Sequence, residues 1–102
     1  MTNYEKVEVL EQKHSLKILL ILSDGPLYKG ELASKITIGT ASVQARVEDL
    51  KSIGLVNEES LNVKPFKKIV SLTPEGEQIA SYVKAINDHL NKHAVDTHGI
   101  SH

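Results

Sequence analysis

Between Gly30 and Gly76 the chain is punctuated so closely that the order of its elements is almost fixed. Lys29 to Ile36 carries Leu32, Ala33 and Ile36 at the spacing of one buried helical stripe. Thr37-Ile38-Gly39 interrupts it, and Gly39 is the residue expected to take a positive φ at the turn. A second helix is expected from Thr40, whose hydroxyl suits the exposed amides of a first turn. Val43, Val47 and Leu50 fix its buried face, and Gly54 ends it as the residue just past the last turn. Leu55-Val56 then opens a strand and Lys68-Ile69-Val70-Ser71-Leu72 supplies another. The segment from Ser60 to Phe66 between them is too long for a two-residue turn. Thr73-Pro74-Glu75 starts a further helix, with a capping hydroxyl, proline at the first helical position, and Glu75 and Glu77 near the positive end of the dipole.

Helices are expected on both flanks. The first is expected over about Tyr4 to Leu22, stopped by Ser23-Asp24-Gly25-Pro26. Val7, Val9 and Leu10 form a one-sided stripe in its first half, whereas Leu16 to Leu22 is apolar nearly all round and needs cover on every side. In the last helix, Ile79, Val83, Ile86 and Leu90 follow the 4-3-4 spacing of a helix that packs along another helix. That seam can dock on the first helix of its own chain. The favoured reading is a homodimer in which the first and last helices of two chains pack together, with Val7, Leu10, Ile79, Val83, Ile86 and Leu90 at the contact.

The length of 102 residues with 40% apolar content fits one domain. The longest apolar run, Ile18 to Leu22, is far below a membrane span, and the acidic start at Glu5, Glu8 and Glu11 is unlike a signal peptide. A soluble, cytoplasmic protein is the expectation. With no cysteine, disulfides, thiol redox sensing and cysteine-ligated zinc are excluded. No glycine-rich phosphate loop or nucleophile with a partnering base is present, so neither an enzyme nor a cofactor is expected.

The net charge of −1 is unevenly spread: residues 29–68 hold seven basic side chains against five acidic ones, a net +2. An ordinary solvated surface gives the same excess. If Val43, Val47 and Leu50 point inward, Ala41, Ala45, Glu48 and Ser52 point outward, with Ser42, Gln44 and Arg46 on the flanks. Such a helix can enter a DNA major groove only by its N-terminal half. There Thr40 and Ser42 are placed for phosphates and Gln44 or Arg46 for base edges, with Ala45 a further candidate on the same outward face. An ion pair of Arg46 with Glu48 or Asp49 is the alternative. Lys51, Lys64, Lys67 and Lys68 suit backbone phosphates; protection of a sheet edge is the bland reading of the hairpin lysines.

Residues Lys29 to Ala80 resemble the winged-helix transcriptional regulators of bacteria and archaea in the broad MarR, ArsR and PadR-like group. The resemblance rests on Gly30-Glu31-Leu32-Ala33, on Leu50-Lys51-Ser52-Ile53-Gly54-Leu55-Val56, and on Val70-Ser71-Leu72-Thr73-Pro74-Glu75-Gly76. It implies an α+β, mostly α fold: a three-helix core, a β-hairpin wing and a long C-terminal dimerisation helix. The single domain, 1–102, then divides into a first helix (1–22), a helix-turn-helix (29–54), the wing (55–73), the C-terminal helix (74–94) and a frayed tail (95–102). The implied function is double-stranded DNA binding as a dimer, with transcription as the regulated process. Many such regulators carry arginine at the wing tip, where this chain has Lys64.

Two rival functions share this fold: an architectural protein that coats any duplex, and a protein-binding module using the acidic half, with Glu48 and Asp49, of the helix that starts at Thr40. A metal site is a further alternative. His89 and His93 lie at i and i+4 with Asp96 three residues on, a spacing that allows one shared face. Solvated imidazoles that favour the dipole at a helix C-terminus are the plainer reading of that spacing.

Overall fold

The computed structural model describes residues 3–60 and 67–100, the last eight of these by backbone alone. Helices α1 (Glu5–Leu10) and α2 (Ser15–Leu22) are followed by strand β1 (Leu27–Tyr28), then α3 (Lys29–Ile36) and α4 (Thr40–Ser52). Strands β2 (Val56–Ser60) and β3 (Lys68–Leu72) lead into α5 (Pro74–Ile100). Among the described residues the sheet is antiparallel in the order β1-β3-β2. The result is mostly helical with one small sheet, as the sequence predicts.

The core gathers Ile18, Leu19 and Leu22 of α2, Leu32, Ala33 and Ile36 of α3, Val43, Val47 and Leu50 of α4, with Leu55, Val56, Val70 and Ala80. The stripes expected for α3 and α4 are therefore the buried ones. Gly54 takes φ +78, and the amides of Gly54 and Leu55 return to the carbonyls of Lys51 and Leu50, closing α4 with a Schellman motif.

The first helix expected over 1–22 is divided. His14 adopts a left-handed φ of 74° between α1 and α2, a region where histidine is enriched among non-glycine residues. The physical reason is burial: α2 lies inside the core, whereas α1 has no buried residue and must turn aside for Val9 and Leu10 to reach that core. No glycine or proline in residues 11–14 marks the break. The inter-helix turn differs as well. Thr37, not Gly39, has the positive φ, at 66°, and the amides of Thr37 and Ile38 both bond the Ala33 carbonyl. Gly39 is extended instead, and its carbonyl accepts the Ser42 and Val43 amides in the first turn of α4. Thr40 thus lies inside the helix and makes no side-chain cap. At the other end, α5 continues to Ile100 beyond the expected stop at 94, since nothing between Leu90 and His98 breaks a helix.

One junction ties these pieces together. The Thr73 hydroxyl donates to the Gly54 carbonyl (2.6 Å) and accepts from the Gly76 amide (2.9 Å), while the Thr73 amide donates to the Leu55 carbonyl (3.0 Å). Gly76 passes so close to that carbonyl that a Cβ would lie 1.9 Å from its oxygen. Gly76→Ala is expected to cost about 2–3 kcal/mol in denaturant unfolding. Gly30→Ala, in open space, should cost nothing measurable; equal effects would show that the close approach does not constrain the fold.

Candidate nucleic-acid interface

The outward face of α4 is formed by Thr40, Ala41, Ser42 and Ala45 in its first half and by Glu48 and Ser52 further on, all exposed. Its N-terminal half is small and uncharged. Lys67 and Lys68, at the base of the wing, are also exposed, and the Lys67 ammonium stands 5.1 Å from the centre of the Tyr28 ring. Tyr28 precedes α3, whose start is held by the Glu31 carboxylate accepting the Tyr28 amide at 2.9 Å. Lys64 lies outside the described residues.

The flanking residues are more constrained than the sequence suggested. Arg46 donates to the Gln12 side-chain oxygen at 3.2 Å and pairs with Asp49 at 3.2 Å. It thereby joins α4 to the turn that follows α1. On the opposite flank, Lys29 donates to Gln44, whose amide donates to Glu48 at 2.7 Å. Lys51 pairs with Glu48 at 3.6 Å and with Glu58 at 3.3 Å, and Lys29 also pairs with Glu58. These contacts close a ring, Lys29-Gln44-Glu48-Lys51-Glu58, that joins α3, α4 and β2. Gln44 and Lys51 were singled out from sequence; Lys29 and Glu58 were only members of a charge tally. Glu58 was illegible because its role depends on β2 register, which places it opposite Val70.

Only 3% of the Glu58 side chain is exposed. Burial pushes its carboxyl up, but the hydrogen bonds and charges of Lys29 and Lys51 outweigh burial and hold it below the usual glutamate range. Lys51 is raised above the usual lysine value, chiefly by its hydrogen bond to Glu58 and against the opposing effect of desolvation, with Glu48 adding to the rise.

The expected dimer residues separate into two sets. Ile79 is half-buried and Val83 buried within the chain, where α5 packs on α2, and Leu10 packs against the core. Tyr82, Ile86 and Leu90 remain 56%, 60% and 59% exposed on α5, as do Tyr4, Val7 and Leu16 near the N-terminus. His89 is exposed, and the side chains of His93 and Asp96 lie outside the described residues. Among the described residues no group of three or more His, Cys, Asp or Glu is placed to hold a metal, and no helix is long and apolar enough to cross a membrane.

A helix pair with an exposed second helix, a hairpin beside it and a long C-terminal helix define a winged helix-turn-helix protein. A family model described as HxlR-like helix-turn-helix matches residues 9–98, and the chain belongs to that family. The family is one of DNA-binding transcription regulators, not enzymes. It narrows the broader resemblance to the MarR, ArsR and PadR-like group.

Solved structures of similar shape agree. An apo double mutant of Lactococcus lactis ZitR superposes with a TM-score of 0.81 at 17% identity, over 91% of this chain and 70% of that one. The S. aureus MepR–DNA complex gives 0.77 at 19%, over 88% and 71%. The transcriptional regulator BldR from Sulfolobus solfataricus gives 0.74 at 20%, over 89% and 68%. At these identities the likeness concerns the fold. No curated protein matches the chain.

The Glu58 shift makes a pH prediction. A carboxyl lowered in the folded state contributes stability above its unfolded value, about 4.3, and loses it as pH falls through the folded value. A lysine raised in the folded state contributes below its unfolded value and loses that contribution as pH rises through the folded one. In urea unfolding followed from pH 7 to pH 3, Glu58→Gln should therefore flatten the acid-side loss of stability. An unchanged acid limb would show that the ring does not hold Glu58 ionised.

Proposed function

We propose that this regulator binds double-stranded DNA sequence-specifically as a homodimer, with the N-terminal half of α4 in the major groove and the wing on flanking backbone. The observation that carries the reading is the small, uncharged, exposed face of Thr40, Ala41, Ser42 and Ala45, with Lys67 and Lys68 exposed on the hairpin. Small side chains let the helix backbone approach base edges, and lysines beside the groove neutralise phosphates without reading sequence. The acids Glu48 and Asp49 follow one to two turns later, so only the first half of the helix suits a polyanion. The complex of MepR with DNA supports this use of the fold.

Lys64, Lys67 and Lys68 are assigned to phosphates, Thr40 and Ser42 to phosphates at the groove edge, and Gln44 and Arg46 to base edges. Arg46 must exchange Asp49 and Gln12 for DNA when it does so. Tyr82, Ile86 and Leu90 of α5, together with the exposed Tyr4, Val7 and Leu16 near the N-terminus, are assigned to the partner copy, because apolar residues recurring at helical spacing along the exposed side of α5 suit a helix that packs on a second copy. A cytoplasmic location accords with this role.

Fluorescence anisotropy of the duplex upstream of its own gene against a scrambled duplex, across a salt series, tests the reading. The upstream duplex is expected to bind preferentially, with affinity falling steeply as salt rises. Lys67→Ala and Lys68→Ala should weaken both duplexes alike. Arg46→Ala should lower the preference itself by about 1–3 kcal/mol. Equal binding to both duplexes contradicts sequence specificity. No binding even at low salt contradicts DNA as the partner.

The dimer has its own test in sedimentation velocity. Ile86→Glu with Leu90→Glu should convert a two-chain species into a folded monomer and reduce DNA affinity. A wild-type monomer at micromolar concentration would contradict the assignment.

A further inference from the structure

The ring on the flank of α4 does more than join elements. It contains two ammonium groups, two carboxylates and one amide, and each is used by a neighbour. The amide of Gln44 is engaged at both ends, its oxygen by Lys29 and its nitrogen by Glu48. Glu58 is the one member contributed by the wing, and its side chain is only 3% exposed, whereas the Lys29 and Lys51 side chains are 21% and 38% exposed. Both lysines therefore lie at the surface with their charge committed to a carboxylate beneath them.

We propose that Glu58 is a positioning residue for DNA recognition: it restrains Lys29 and Lys51 from the phosphate backbone and, through Lys29, fixes the orientation in which α4 presents Gln44. The inference rests on α4 facing DNA and assigns a specificity role to a residue that does not itself touch the duplex. Physically, sequence-independent affinity grows with the number of lysines that neutralise phosphates, whereas preference depends on base-edge contacts. A buried carboxylate that occupies two lysines suppresses the former and leaves the latter. Glu58 also links this balance to the wing, since its strand leads directly into the hairpin.

The test is the dependence of binding on salt. Glu58→Gln keeps the side-chain shape and removes the charge that holds the lysines. Its binding to a scrambled duplex should strengthen several-fold, the slope of log affinity against log salt should steepen by about 1–2, and preference for the upstream duplex should fall. Glu59→Gln is the control. Glu59 is its exposed neighbour on the same strand, so this change removes one charge without releasing a lysine and should leave the slope as in wild type.

Adding Lys29→Met and Lys51→Met to Glu58→Gln should abolish the steepening. Persistence of the steepening without the lysines, or its equal appearance in Glu59→Gln, would overturn the proposal in favour of a long-range charge effect. Lys51→Met alone, with Glu58 and Lys29 intact, tests the same claim should Glu58→Gln not fold. It should leave the slope unchanged, and a loss of about 1 would overturn the proposal because Lys51 would already be on a phosphate.

Elution from immobilised heparin separates this claim from the DNA reading. Later elution of Glu58→Gln but not of Glu59→Gln supports lysine release even if wild type binds no duplex, an outcome that would count against DNA as the partner instead. Unshifted elution of Glu58→Gln overturns lysine release whatever the duplex measurements give.

Discussion

The contact between Gly76 and the Leu55 carbonyl governs the rest of the structure. There the end of α4, the start of β2 and the first turn of α5 meet within a few residues, joined by the Thr73 hydroxyl and amide. No side chain fits between α5 and that carbonyl. The Schellman closure at Gly54 directs the chain into the wing, while the Thr73 cap directs it out of the wing into α5. The angle between α4 and the long C-terminal helix is set at this point. Any arrangement of two copies through α5 therefore fixes the separation of their two α4 helices.

Charge is handled with equal economy. A chain of net charge −1 that is to meet a polyanion must place its basic groups selectively. On one flank of α4, Arg46 is occupied by Asp49 and Gln12; on the other, Lys29 and Lys51 are occupied by Glu58 and Glu48. Lys67 and Lys68 are exposed on the hairpin. On the proposed use of this surface, the balance between internal pairs and exposed lysines sets how much binding is general and how much depends on the groove.

Much of this was legible in the sequence because it is carried by local rules. The stripes of α3 and α4, the glycine that closes α4, the second wing strand and the Thr-Pro start of α5 are each written in adjacent residues. What escaped depends on tertiary contact. The break at His14 has no helix-breaking residue, and is imposed by one half of the segment being buried while the other is not. The positive φ at Thr37 goes against the rule that favours glycine, with Gly39 two residues away. Strand β1 is too short to announce itself and exists through pairing with β3. Among site residues, the outward face of α4 follows from helical periodicity, but the Glu58 ring does not, since its members are separated by up to 29 positions, from Lys29 to Glu58. Ile86 and Leu90 continue a seam that Ile79 and Val83 begin, and only the fold reveals that the seam is covered at one end and open at the other.

The central claim is that two copies of α4 enter successive major grooves on one face of a duplex. Methylation interference at guanine N7, which lies in the major groove, tests it directly on the DNA upstream of the gene. The account predicts two clusters of interference related by two-fold symmetry, with centres about 34 Å apart, one helical turn. A single cluster, or none in the major groove with protection confined to the backbone, would contradict it.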